Sequence, residues 1–130
     1  MGRVAYNGEN WLDLKGTRKD IQFTPILADN HYFHVPEREV ILCLFSKYCY
    51  FDQCLGEIFD MEGIKVNDIP VFVHPDYKGS VCKYQSKVAW VQEYNQGFIS
   101  FVVDCNSLPS FRIKLDLTSM KYLKPQFGVR

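Results

Sequence analysis

No stretch of the 130-residue chain approaches the run of about 18 apolar residues that a membrane helix needs. The opening, MGRVAYNGENWLDLKG, has no apolar centre, so a secretory signal is not expected. Gly2 follows Met1, but Tyr6 stands where a myristoylation signal needs Ser or Thr. Net charge is also lacking: fifteen Lys and Arg balance fifteen Asp and Glu. That removes the uniformly basic balance of a strongly electrostatic DNA binder. Five cysteines is an odd number, and none falls in a CxxC pair. Reduced thiols in the cytoplasm or nucleus are therefore expected. The chain has no G-x-S-x-G, P-loop, HExxH or dinucleotide fingerprint, so neither an enzyme nor a cofactor is expected.

Aromatic residues make up 15% of the chain, ten of them Phe and eight Tyr, and this composition favours β structure. Charge is uneven along the chain. From Lys78 to Arg130 eight basic residues face three acidic ones, and the first 77 residues carry the opposite excess. Two halves that attract each other within one fold account for this most simply.

Residues 1–38 are broken by Gly2, Asn7, Gly8, Asn10, Gly16, Pro25, Asp29, Asn30 and Pro36, and predict an irregular arm. Trp11, Leu12, Leu14, Phe23, Ile26 and Leu27 could pack it onto a body formed by residues 39–130. From Glu39 the texture changes. EVILCLFSKYCYF reads as a buried strand, and QCLGEIF continues extended. DMEGIKVND reads as a polar loop. In PVFVH, alternation would put Val71 and Val73 inward and Phe72 and His74 outward. Residues 87–105 read as a hairpin turning at Asn95–Gly97. FRIKLDL has Phe111, Ile113, Leu115 and Leu117 on one face and Arg112, Lys114 and Asp116 on the other. Five or six strands and no long helix predict an all-β barrel or sandwich.

The segments KYCYFDQCLGEI (Lys47–Ile58), VFVH (Val71–His74) and SKVAWV (Ser86–Val91) occur in an order and spacing that resembles a cold-shock domain. The resemblance covers roughly residues 40–105. It implies a small five-stranded oligonucleotide-binding barrel, here with an N-terminal arm and an additional C-terminal strand. It also implies a face that stacks bases on rings shown by its second and third strands. Carried over position by position, that face would use Lys47, Tyr48, Phe72, His74 and Lys87. Leu55 and Glu57 stand where the family has rings, and Trp90 maps onto an inward position. The function implied is that of a non-catalytic module of an RNA-regulatory protein, one that binds single-stranded RNA weakly or assists its recognition. The alternative is a protein–protein interaction module that has lost nucleic-acid binding.

The same residues bear on other chemistry. His31 and His34 have a metal-like spacing but no cysteine pair beside them, so no metal is expected. Phe72 could instead be buried beneath the arm. Rings at Tyr48, Tyr50 and Phe51 could supply a small cage for a modified lysine or arginine. Lys83, Lys87, Arg112 and Lys114 could form a basic patch, a solvated strand face being the default.

Overall fold

The computed structural model describes residues 2–25, 30–47, 49–50, 54–72, 85–105, 110–124 and 126–127. Among them are thirteen strands, all paired antiparallel. They are β1 (Gly2–Tyr6), β2 (Trp11–Asp13), β3 (Arg18–Lys19), β4 (His31–Val35), β5 (Val40–Leu44), β6 (Cys49–Tyr50), β7 (Gly56–Asp60), β8 (Lys65–Ile69), β9 (Gln85–Asn95), β10 (Phe98–Cys105), β11 (Phe111–Asp116), β12 (Lys121–Tyr122) and β13 (Gln126–Phe127). One short 3₁₀ turn, Pro36–Arg38, joins β4 to β5. Among the described residues no helix is long and apolar enough to cross a membrane.

The strands form two sheets. The first has the order β3-β2-β1-β4-β5-β7-β8, and the second the order β12-β11-β10-β9-β6, with β13 on β11. The chain crosses from one to the other between β5 and β6. Phe45 links them there: its N–H donates to the Leu55 carbonyl (2.9 Å), and its own carbonyl accepts from the Val88 N–H (3.0 Å). The main core lies between the sheets. Phe33, Val35, Leu42, Leu44, Ile58 and Ile69 of the first meet Val88, Ile99, Phe101, Phe111, Ile113 and Leu115 of the second.

Among the described residues no closed barrel is found. β10 lies between β9 and β11, so both of its edges are already hydrogen-bonded and neither is left for β8. Among the described residues β8 pairs with β7 alone.

Residues 1–38 depart from an irregular arm. β1 to β4 extend the first sheet; Gly2 opens β1, while Asn7, Gly8, Asn10, Gly16 and Asn30 sit between strands, where Gly8 and Gly16 adopt positive φ. Their inward side chains build a second, smaller core on the outer face of the first sheet. Val4, Trp11, Tyr32, Ile41 and Cys43 are buried there, with Tyr6, Phe23, Phe45, Phe59 and Met61 packed around them.

Two further expectations shift. The polar stretch after Gly63 is not all loop, because Lys65–Ile69 forms β8; an edge strand exposed along most of its length needs no apolar alternation. Val71 and Phe72 lie in no strand, and both pack against the main core, so they do not alternate. Pro70 has no N–H to continue the ladder, and its carbonyl accepts the Tyr122 hydroxyl. Val73 and His74 lie outside the described residues.

Candidate nucleic-acid interface

Of the two strands that the resemblance assigns to base stacking, the second corresponds to β7; the third, VFVH, follows β8, the partner of β7, and is no strand at Val71 and Phe72. Glu57, Phe59 and Asp68 lie on the outer face of the sheet because Ile58 and Ile69 turn to the core. The Phe59 ring lies under Phe23, with centroids 5.4 Å apart. Phe23 is itself held by Trp11, whose ring is 5.5 Å away and whose Nε1–H donates to the Phe23 carbonyl at 2.7 Å. Gly63 closes the lid: a side chain there would meet Phe23 Cβ at 2.4 Å. Next to this covered ring, Glu57 and Asp68 are register partners, both bridged by Lys65 Nζ at 3.3 and 3.1 Å. A face with one covered ring and two carboxylates against a single ammonium is poorly suited to phosphates.

Of the five residues carried over from the family, Lys47, Phe72 and Lys87 are described, and these three do not converge on this face. Phe72 is half-buried and stacks inward on Phe111 and Tyr122, at 5.4 and 5.6 Å between centroids. Its cover is therefore the C-terminal strands, not the N-terminal ones. Lys47 is exposed on the crossover between β5 and β6. Lys87 lies on β9 of the other sheet, in register with Asp104. Tyr48 and His74 lie outside the described residues, as do Lys83 and Phe51. Leu55, at a family ring position, is fully buried in the main core.

The outer face of the second sheet carries a different constellation. Two register irregularities between β9 and β10 break strict alternation. As a result Val88 and Val91, three residues apart, both face the core, and Trp90 is left half-exposed rather than inward. Across the strands Trp90, Val102 and Arg112 stand in one row, and Glu93, Ser100 and Lys114 in the next. Val102, in the middle, is fully buried. Glu93, Ser100, Arg112, Lys114, Leu123 and Lys124 wall a cleft of about 260 Å³. Three cations stand against one carboxylate there; of the four residues that could form a basic patch in the sequence, Arg112 and Lys114 line it, Lys87 does not, and Lys83 lies outside the described residues. Lys124 could not be added from sequence, because only the turn after β11 brings it back: the Leu123 N–H donates to the Lys114 carbonyl at 2.9 Å.

Other titratable groups are turned to structure. Burial pushes the Cys43 thiol up to about 11, against opposing bonds from Tyr32 and Asn30, and burial also raises Cys54. Neither of these two is a thiolate at neutral pH. Among the described residues no group of three His, Cys, Asp or Glu could hold a metal ion.

Burial lowers both His31 and His34 below the ordinary 6.5. The Val88 carbonyl, 3.0 Å from His31 Nε2, opposes the shift there; Arg3 adds to it for His31 and Lys19 for His34. Unfolded imidazoles therefore take up protons before folded ones as pH falls. Stability is expected to be flat just above neutrality, to decline as pH drops through 6.5, and to level off below the folded imidazole values; on the alkaline side it falls again as pH rises past 9.0, where unfolded thiols ionise before buried Cys43 and Cys54. Asp13 and Asp116, lowered chiefly by backbone N–H bonds from Thr17 and Thr118, lose their contributions only below 3.8. Urea midpoints measured across this range should show the decline, and it should be shallower in His34→Asn.

Comparison with protein-family models, with curated proteins and with solved structures finds no significant match.

Proposed function

We propose that the protein is a non-catalytic binding module that contacts single-stranded RNA weakly, through the outer face of its second sheet. The observation that carries this reading is the cleft of Arg112, Lys114 and Lys124 beside the row that holds Trp90. Single strands are bound without much sequence preference by positive grooves that follow the backbone and by aromatic rings that stack bases, each base contributing about 1–3 kcal/mol. The RNA-handling setting comes from the resemblance to a cold-shock domain, as does the finer view of the fold. In that view the meander β5–β7–β8, the crossover into β6 and the hairpin β9–β10 make an oligonucleotide-binding core opened at one seam.

Fluorescence anisotropy with labelled oligouridine tests the reading. Binding is expected in the micromolar range at low ionic strength and should fade as salt rises. The combined variant R112Q, K114Q and K124Q should weaken it at least about fivefold. Absence of binding at high micromolar protein and low salt would overturn the proposal.

One observation favours a second reading, a protein-interaction module. Ile64 and Val66 are 60% and 56% exposed beside β8, an edge strand of the first sheet. An exposed apolar edge offers main-chain pairing to an extended partner segment. A silent anisotropy experiment would leave this reading in place of the first.

A further inference from the structure

On the first sheet, His34 of β4 is only 8% exposed, and its Nδ1 has no hydrogen-bond partner among the described residues. A buried polar atom left unpaired costs on the order of 1–3 kcal/mol, so native proteins seldom leave one without a function. His34 forms part of the wall of a cleft of about 220 Å³, together with Gly2, Arg3, Val4, Asp13, Lys15 and Lys19. This volume is below the roughly 300 Å³ at which drug-sized sites begin, so the space suits a small group.

The charges sort the candidate ligands. Arg3, Lys15 and Lys19 line the cleft against one carboxylate, and the Arg3 guanidinium is turned to the Val91 carbonyl at 3.4 Å. That carboxylate, Asp13, is engaged: its Oδ1 accepts the backbone N–H groups of Lys15 and Thr17 at 2.9 and 2.8 Å, and its Oδ2 lies 4.0 Å from Lys19 Nζ. On its other side His34 borders a wider cleft whose walls carry Asp20, Glu39 and Glu62. An anion is repelled there and attracted on the lysine side.

We propose that the cleft between β1, β2 and β4 is a seat for a small oxyanion, a phosphate or phosphate-ester group, held by the ammonium groups of Lys15 and Lys19 and by a hydrogen bond from His34 Nδ1. Lysines supply point charge for phosphate, and the imidazole N–H supplies direction. The seat is independent of the RNA reading, because it lies on the first sheet and shares no residue with the Arg112 cleft.

Titration of ¹⁵N-labelled protein with inorganic phosphate, at constant ionic strength balanced with chloride, tests it. Long-range spectra of the histidine rings are expected to show a saturable shift of one imidazole, with a dissociation constant on the order of millimolar. His34→Gln should remove that signal and thereby assign it. Lys15→Gln with Lys19→Gln should weaken binding at least about tenfold while the remaining amide spectrum stays unchanged. Methyl phosphate and dimethyl phosphate distinguish the sources. Binding of the monoester alone assigns a terminal phosphate, and binding of the diester as well assigns a nucleic-acid backbone. A phosphate response no larger than that of chloride, or one kept in full by the double lysine variant, overturns the proposal.

Discussion

Gly56→Ala is expected to destabilise the protein by about 3 kcal/mol or more, a large part of the 5–15 kcal/mol that holds a domain of this kind. Gly56 opens β7 opposite Leu44, and a Cβ placed on it would lie 2.1 Å from the Cys43 carbonyl oxygen and 3.1 Å from Ile69 Cδ1. The first neighbour is backbone inside a central strand and cannot swing aside as a side chain would. Relief requires β5 and β7 to separate, where Leu42 and Ile58 carry the main core. Gly16→Ala is the control. Its φ of +82° is unfavourable to alanine, but nothing lies within 4 Å of the new methyl group. It should cost only about 1–2 kcal/mol. Urea unfolding of both variants should give lower midpoints with little change in slope.

Trp11→Ala is expected to cost about 3–5 kcal/mol. The indole is 1% exposed and meets the rings of Tyr6, Phe23 and Tyr32, with centroids 5.4, 5.5 and 4.9 Å away. Its loss empties the second core and leaves the Phe23 carbonyl without its 2.7 Å donor. Trp11→Phe should be milder, about 2 kcal/mol, because a ring remains and the loss is the hydrogen bond and the smaller part of the indole volume. The alanine variant should also bind a hydrophobic dye, since Phe23 would no longer be held over Phe59. A loss under 1 kcal/mol for Trp11→Ala would mean that the N-terminal strands are only loosely applied to the sheet.

The second half of the fold was legible because its strands are half-buried and regular. FRIKLD forms β11, with Phe111, Ile113 and Leu115 buried, and the Asn95–Gly97 turn joins β9 to β10 with Gln96 and Gly97 both at positive φ. EVILCLFSKYCYF holds β5 and β6, but the crossing between sheets that separates them leaves no mark in composition. β1 to β3 are short and widely interrupted, so no period reaches significance, and what unites them is Trp11, which meets Phe23 only after folding. VFVH alternates in sequence, yet among the described residues the pairing of β8 stops at Ile69, and Val71 and Phe72 lie in no strand. Alternation over four residues is too short to outweigh the preceding proline and the pull of Phe111 and Tyr122 on Phe72.

The candidate site divides in the same way. Arg112 and Lys114 could be read as the solvated side of a clean strand. Their companions could not. Trp90 faces outward only because irregular pairing shifts β9 against β10, and Lys124 joins the cleft through a turn. His34 carries no sequence signal of being unpaired, since that property depends on every neighbour from β1, β2 and β4.

Amide chemical-shift mapping during an oligouridine titration is the most direct measurement. Shifts are expected at Trp90, Arg112, Lys114 and Lys124, with Glu57, Phe59, Lys65 and Asp68 unmoved beneath and beside the N-terminal cover. Shifts concentrated on β7 and β8 would contradict this, because they would require the Phe23 lid to open and bases to reach Phe59.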